Sequence, residues 1–151
     1  MHKAFVFEIN FYTLLRMSQK KNVLILCTGN SCRSQMAEGV LRYYYGDVVT
    51  VYSAGTQPSH VNEHAIAVMN ELGIDISGHY SKSVHDILDV TFDVVITVCS
   101  NADENCPVII GEFQKFHWGF DDPVGKSLTV FRKVRDEIVL KFKDFSNEVS
   151  L

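Results

Sequence analysis

Residues 27–33 read Cys-Thr-Gly-Asn-Ser-Cys-Arg, which separates a thiol from a guanidinium by five residues. Gly29 and Asn30 tolerate backbone angles that are closed to most residues, so successive amides of such a loop can point inward and bind an anion. Arg33 can donate two hydrogen bonds to one tetrahedral oxyanion. The same positive field favours a thiolate at Cys27, and we therefore expect Cys27 to attack the bound oxyanion as a nucleophile.

The loop leads into a segment that we predict to be helical from Ser34 onwards. The positive end of that helix strengthens anion binding, and the Ser34 hydroxyl can hydrogen-bond the Cys27 thiolate. The predicted oxyanion-binding residues are consecutive in the sequence: Thr28, Gly29, Asn30, Ser31, Cys32, Arg33 and Ser34.

Cysteines in a loop also occur in zinc sites and in redox pairs. A structural zinc site needs about four ligands. The chain has four cysteines, but no two of them form a Cys-x2-Cys pair, and no ligand spacing links His60, His64, His79 and His85. We therefore predict no metal site, and we interpret Cys32 as a packed, unreactive thiol.

Strand-like and helix-like segments alternate along the rest of the chain. Short apolar or β-branched runs predict four strands, at Val23–Leu26, Asp47–Ser53, Phe92–Val98 and Phe113–Trp118. Helical spacing of apolar residues predicts helices over Ser34–Tyr45, Asn62–Leu72 and Val84–Leu88, and a long C-terminal helix through Phe131, Val134, Ile138, Phe142 and Phe145. The prediction is a single α/β domain with a central four-stranded parallel sheet and helices on both faces.

Two cysteines follow predicted strands directly. Cys27 follows the first strand and Cys99 follows the third. Because ligands of a parallel sheet bind beyond the carboxyl ends of its strands, we expect both cysteines at the ligand-binding edge.

The composition excludes several classes of function. With 151 residues, of which 46% are hydrophobic and 21% charged, the chain can form one globular domain with a sizeable core. A formal net charge of −4 argues against general nucleic-acid binding, and no apolar run approaches the roughly 20 residues of a membrane span. Four cysteines without a recognisable secretory signal favour a reducing, cytoplasmic compartment.

The N-terminal segment is less informative. Residues 1–21 are expected to form an extension of unknown role, and residues 22–151 the domain itself. Met17 is a candidate for the natural start.

The stretch CTGNSCRSQMAEG resembles the active-site loop of the low-molecular-weight protein tyrosine phosphatase fold. Its form is most similar to that of the thioredoxin-coupled arsenate reductases on this fold. The resemblance continues through VYSAGT, ITVCSNADENCP, HWGFDDPVGK and FRKVRDEI, and covers roughly residues 22–145. It implies arsenate as the substrate, thioredoxin as the partner, no cofactor and a monomeric protein.

The resemblance also implies roles for residues far from the loop. Asp122, which directly precedes a proline, corresponds to the general acid of the family. Cys99 and Cys106 correspond to the relay cysteines, which would form a Cys27–Cys99 disulfide and then a Cys99–Cys106 disulfide. If residues 99–106 are helical when reduced, their ends lie roughly 10.5 Å apart, so the segment must unwind to form the second disulfide.

The main alternative is a phosphatase of the same fold that hydrolyses phosphate monoesters through a phosphocysteine. Such phosphatases need one reactive cysteine and typically carry tyrosines after the Asp-Pro pair. This chain has Val124, Gly125 and Lys126 there, and two additional cysteines. These departures favour the reductase. A catalytically silent oxyanion-binding or redox-sensing module is a third alternative, against which the full set of nucleophile, arginine and acid argues.

One further position departs from the resembled reductases. Asn30, Glu38 and Ser53 match residues that can surround a structural cation behind the loop in that family. The chain places Lys82 in the segment that would complete such a site. We expect the Lys82 ammonium to replace the cation, and we predict that no metal is required.

Overall fold

The computed structural model describes residues 19–100 and 108–151. Its four strands are β1 (Lys21–Cys27), β2 (Val49–Gly55), β3 (Val94–Thr97) and β4 (Gln114–His117). They form one parallel sheet in the order β2-β1-β3-β4. The predicted four-stranded parallel sheet is therefore confirmed. The central strand β1 is apolar and buried from Val23 to Cys27, as expected for a strand that is covered on both faces of the sheet.

The helices lie close to the predicted positions. They are α1 (Arg33–Tyr45), α2 (Glu63–Asn70), α3 (Leu128–Lys143) and α4 (Phe145–Glu148), with a short 3₁₀ helix at Val84–Ile87. The strand β2 starts two residues later than predicted, since the chain first turns after α1, with the Val48 amide donating to Tyr45 O at 2.9 Å. The helix α2 is shorter than predicted because the chain turns after it, through Gly73 at a φ of +74°.

The two faces of the sheet are covered unequally. One face carries the larger core, in which α1 packs against β1 while α2 and α3 pack against α1, with Met36, Val40 and Phe131 fully buried. The other face is covered, within the described residues, by the 3₁₀ helix, which packs against Leu24 and Leu26. In the same part of the chain, no helix is long and apolar enough to cross a membrane.

The strand order creates a crevice at the carboxyl edge of the sheet. The chain leaves β1 toward β2 on one side, and β3 pairs with β1 on the other, which is the arrangement that forms ligand sites in open α/β sheets. Gly55 ends β2 at this edge, where an added Cβ would lie 2.3 Å from Thr28 O. Only glycine therefore lets the loop after β1 pass this close to β2.

Candidate active site

The Cys27 sulfur lies at the end of β1 and receives two polar contacts. Asn30 N–H donates to it at 3.2 Å, and the Ser34 hydroxyl lies 3.0 Å away. Cys27 is only 2% exposed. The Asn30 amide reaches the sulfur because Asn30 adopts a left-handed conformation, with a φ of +47°.

The Asn30 side chain fixes the direction of the Ser34 hydrogen bond. Asn30 Nδ2 donates to Ser34 Oγ at 2.8 Å and to Ser53 Oγ at 2.9 Å. Because this amide nitrogen can only donate, Ser34 Oγ is an acceptor there, and its own hydrogen is available for Cys27 Sγ. Two donors, Asn30 N–H and the Ser34 hydroxyl, are therefore directed at one sulfur.

A second loop braces the segment between Cys27 and Arg33. The carbonyls of Thr28, Gly29 and Ser31 accept backbone hydrogen bonds of 2.9 to 3.1 Å from residues 57, 59 and 62. These three bonds hold the loop along the segment after β2. The shape of the loop therefore depends on a neighbour that lies some thirty positions further along the chain.

Arg33 and Asp122 meet at the mouth of this loop. The Arg33 side chain is buried, and its Nη1 donates to Phe120 O at 3.1 Å. Its Nη2 lies 3.7 Å from Asp122 Oδ2, which is an ion pair but too long for a hydrogen bond. Asp122 is 47% exposed, and its other oxygen accepts from Val124 N–H at 3.1 Å. The guanidinium thus lies between the anion-binding loop and an accessible carboxyl group.

Cys32 lies in the same loop but in a different environment. It is buried, and burial raises the pKa of its thiol to about 12, with a smaller contribution from the nearby Asp122 carboxylate. The Cys32 thiol is therefore protonated at neutral pH. This state agrees with the unreactive role that we predicted for it.

Cys99 lies two residues beyond the end of β3, at the same carboxyl edge of the sheet as Cys27. Beyond β3 the chain continues to pair with β1, since Val98 N–H donates to Leu26 O at 2.9 Å. Cys99 is fully buried, and an added Cβ at Gly119 would lie 2.8 Å from its carbonyl oxygen. Cys106 and the predicted unwinding of the relay segment lie outside the described residues, which omit 101–107.

A family model of the low molecular weight phosphotyrosine protein phosphatases matches residues 22–150. The chain belongs to this family. The family that the loop sequence predicts is therefore confirmed.

The relatives with high similarity carry a more specific name. The chain is 50% identical to arsenate reductase 1 of Staphylococcus epidermidis, over 87% of this chain and 99% of the relative. A solved arsenate reductase in the phosphate binding state is 37% identical, with a TM-score of 0.74 over 86% of this chain and 99% of that one. Another, in the oxidized state, is 35% identical, with a TM-score of 0.76 over the same shares.

A second layer of polar side chains lies behind the loop of residues 27–33 and consists of Gln35, Glu38, His79 and Lys82. Glu38 is buried, with Oε2 lying 2.8 Å from His79 Nδ1 and Oε1 lying 3.4 Å from Arg42 Nη2. Burial alone would raise the pKa of Glu38. The hydrogen bond from His79 and the charges of Lys82 and Arg42 outweigh burial and hold that pKa below its usual value.

Lys82 contacts the Cys27 loop through its backbone and Tyr80 through its side chain. Its backbone N–H donates to Asn30 Oδ1 at 2.9 Å, and its ammonium donates to Tyr80 O at 2.9 Å and lies 4.4 Å from the Tyr80 ring centroid. Burial lowers the pKa of Lys82, while the Glu38 carboxylate acts in the opposite direction.

The residues around Lys82 do not fit a metal ion. The Asn30 and Glu38 oxygens already accept hydrogen bonds or ion pairs from protein groups, and a neighbouring ammonium repels a cation. Among the described residues, no group of three or more His, Cys, Asp or Glu side chains is arranged to hold a metal.

The sequence analysis missed two members of this second layer, Gln35 and His79. Gln35 donates to Asn30 and accepts from His79 at 3.0 Å. One feature of the sequence could have indicated them: the apolar helical segment directly after the loop contains the polar residues Gln35 and Glu38. The partners of those polar groups come from residues 79–82, which no local pattern connects to the loop.

Proposed function

We propose that this protein reduces arsenate to arsenite, with Cys27 as the nucleophile and a relay of cysteine disulfides as the source of electrons. The observation that carries the proposal is the placement of the Cys27 sulfur near two hydrogen-bond donors, with Cys99 two residues beyond the end of the neighbouring strand β3, at the same edge of the sheet. The proposal is also supported by membership of the phosphatase family and by 50% sequence identity to a named arsenate reductase.

The chemistry begins with attack on arsenic. The Cys27 thiolate forms a sulfur–arsenic bond, while the loop amides and Arg33 hold the arsenate oxygens. A hydroxide leaves arsenic and takes a proton from Asp122, which makes it water. The exposed position of the Asp122 carboxyl next to Arg33 supports this role.

Arsenic is reduced in the next step, when a second cysteine sulfur attacks the first. The Cys99 thiolate attacks Cys27, so that a sulfur–sulfur bond forms and the sulfur–arsenic bond breaks. The electron pair of the broken bond stays on arsenic, which leaves as arsenite, and the two thiols are oxidised to a disulfide. Cys106 then attacks Cys99 and releases Cys27 as a thiolate. Thioredoxin, a low-potential dithiol, reduces the final Cys99–Cys106 disulfide.

Hydrolysis of phosphate monoesters is the second candidate function, because phosphate and arsenate have the same tetrahedral shape. The family model is that of the phosphotyrosine protein phosphatases, whereas two relatives that are 50% and 53% identical to this chain are named arsenate reductases, which favours the inorganic ion as the main substrate.

The wider proposals follow from this chemistry. Reduced cysteines require a reducing compartment, which we propose to be the cytoplasm. We further propose that the protein acts as a monomer, that residues 22–151 form the catalytic domain after an extension of residues 1–21, and that Lys82 makes a bound cation unnecessary.

One experiment separates the two candidate functions. Arsenate-dependent NADPH oxidation is measured with thioredoxin and its reductase, for the wild type and for Cys27→Ser, Cys99→Ser and Cys106→Ser. The reductase requires that each substitution stops turnover, while Cys99→Ser and Cys106→Ser retain weak hydrolysis of p-nitrophenyl phosphate. That retained activity is the control for correct folding. Rapid phosphotyrosine hydrolysis without arsenate turnover in the wild type would identify a phosphatase instead.

A further inference from the structure

Gln35 connects three parts of the molecule behind the Cys27 loop. It lies in the first turn of α1 and is fully buried. Its Nε2 has two hydrogens, which three oxygen atoms share: Asn30 O and Asn30 Oδ1, each at 3.0 Å, and Tyr80 O at 3.1 Å. Its Oε1 accepts from His79 Nδ1 at 3.0 Å. One amide therefore joins the helix, the loop and the segment from His79 to Lys82.

The orientation of the Gln35 amide is determined by its partners. His79 Nδ1 also lies 2.8 Å from Glu38 Oε2, so this nitrogen carries a hydrogen that Gln35 Oε1 can accept. A reversed amide would place Oε1 against three other oxygen atoms and leave Nε2 facing an N–H group. Only one orientation satisfies the hydrogen bonds.

Asn30 needs such support because its backbone is strained. Asparagine tolerates a φ of +47° better than most L-residues do, but such a conformation persists only where the surroundings determine it. Ser81 Oγ donates to the main-chain oxygen of Asn30 at 2.6 Å, and Lys82 N–H donates to its side-chain oxygen at 2.9 Å. Gln35 donates to both oxygens at once, and so fixes the peptide and the side chain relative to each other.

We propose that Gln35 is a positioning residue for the nucleophile. It holds Asn30 in the left-handed conformation and thereby directs the Asn30 N–H at the Cys27 sulfur, 3.2 Å away. Gln35 acts through Asn30 and belongs to the layer behind the loop. The inference rests on the proposed role of Cys27 as the nucleophile.

The test compares Gln35→Met with a matched control, Gln114→Met. Methionine keeps the length of the side chain and removes both polar ends. Gln114 also uses both ends of its amide, toward Ser150 O at 2.7 Å and from Ser150 N at 3.1 Å, but it lies on β4. The readouts are the rate at which iodoacetamide alkylates Cys27 at pH 7, followed by mass spectrometry, and the inhibition constant of inorganic phosphate for p-nitrophenyl phosphate hydrolysis.

We expect Gln35→Met to slow alkylation about tenfold and to weaken phosphate inhibition about tenfold, because a charge-assisted hydrogen bond to the thiolate is lost. Gln114→Met should change neither quantity by more than about twofold. A folded Gln35→Met protein with wild-type values for both would overturn the proposal. Neither readout uses arsenate, so a wild type without arsenate turnover counts against the proposed function and leaves this test intact.

A double-mutant cycle separates positioning from general destabilisation. Glycine adopts a positive φ without strain, so in Asn30→Gly the backbone no longer needs Gln35 to hold it. The substitution also removes the side-chain oxygen of Asn30, one of the two Asn30 oxygens that accept from Gln35. In the Asn30→Gly background we expect Gln35→Met to lower the rate of Cys27 alkylation by less than about threefold. A second loss of about tenfold would show that Gln35 acts by another route and would refute the proposal. If Gln35→Met does not fold, Gln35→Glu, which keeps the shape of the side chain, is used in both backgrounds with the same expectations.

Discussion

The Ser34 hydroxyl lies 3.0 Å from the Cys27 sulfur, and its oxygen already accepts a hydrogen bond from Asn30. This relationship gives the sulfur a donor whose direction is set by a neighbouring side chain. A thiolate gains more from such a donor than a thiol does. The same geometry makes the contribution of Ser34 measurable.

Replacing Ser34 with alanine should therefore slow the chemistry at Cys27. We expect Ser34→Ala to lower the rate of Cys27 alkylation and the kcat for p-nitrophenyl phosphate about tenfold, because one charge-assisted hydrogen bond is lost. Ser150→Ala, which removes an exposed hydroxyl near the C-terminus, is the matched control. Equal rates for Ser34→Ala and the wild type would show that the hydroxyl does not stabilise the thiolate.

Asp122→Asn tests the proposed general acid. The amide cannot protonate the leaving hydroxide or alkoxide, so kcat should fall about 100-fold or more. Binding of inorganic phosphate should be unchanged or stronger, because the Asp122 carboxylate lies 3.7 Å from the arginine that is proposed to hold the anion. The neighbouring exposed Asp121→Asn variant should retain kcat to within about threefold. A comparable loss in both variants would contradict a specific role for Asp122.

The Lys82 proposal predicts insensitivity to potassium. At constant ionic strength, replacing KCl by choline chloride should change the arsenate-dependent rate by less than about twofold, since the ammonium supplies the positive charge near Glu38. Lys82→Met should lower the melting temperature, and Lys115→Met, at an exposed position of β4, should not. A saturable activation of the wild type by potassium would show that the residues do hold a cation.

The sequence predicted those site residues that lie close together in the chain. Cys27, Arg33 and the glycine and asparagine between them are specified by one strand, one loop and one helix start. The continuous apolar run likewise placed β1, and the helical spacing of apolar residues placed α3.

The layer behind the loop could not be predicted in the same way. Gln35 and Glu38 read as ordinary polar residues of a helix until His79 and Lys82 are placed against them. Their contacts are tertiary: His79 lies 44 positions from Gln35. The sequence indicates that Asn30 can adopt a positive φ, but the side chains and amides that hold it there, at residues 35, 81 and 82, are tertiary neighbours.

The ion pairs of Glu38 predict a dependence of stability on pH. Folding lowers the pKa of Glu38 from its ordinary value of 4.5. The charged carboxylate therefore stabilises the fold at any pH above the pKa of the unfolded chain. This stabilisation is lost as the pH falls through the pKa of the folded protein. Glu38→Gln should lower the free energy of unfolding at pH 7 by about 2 kcal/mol. That difference should shrink below about pH 4.5. Denaturation by urea between pH 3.5 and 7, with the exposed Glu112→Gln as control, measures it; a constant difference at all pH values would argue against the charge as its cause.

The environment of Cys32 predicts selective alkylation of the wild-type protein. With a pKa of about 12, the Cys32 thiol is almost fully protonated at pH 7.5, whereas iodoacetamide alkylates the thiolate. Iodoacetamide should therefore label Cys27 long before Cys32, although the two lie in one loop. After unfolding in urea the two sites should react at similar rates, which serves as the control for intrinsic reactivity. Equal labelling in the folded protein would mean that Cys32 is accessible and ionised, and would reopen a Cys27–Cys32 redox pair as the chemistry of this loop.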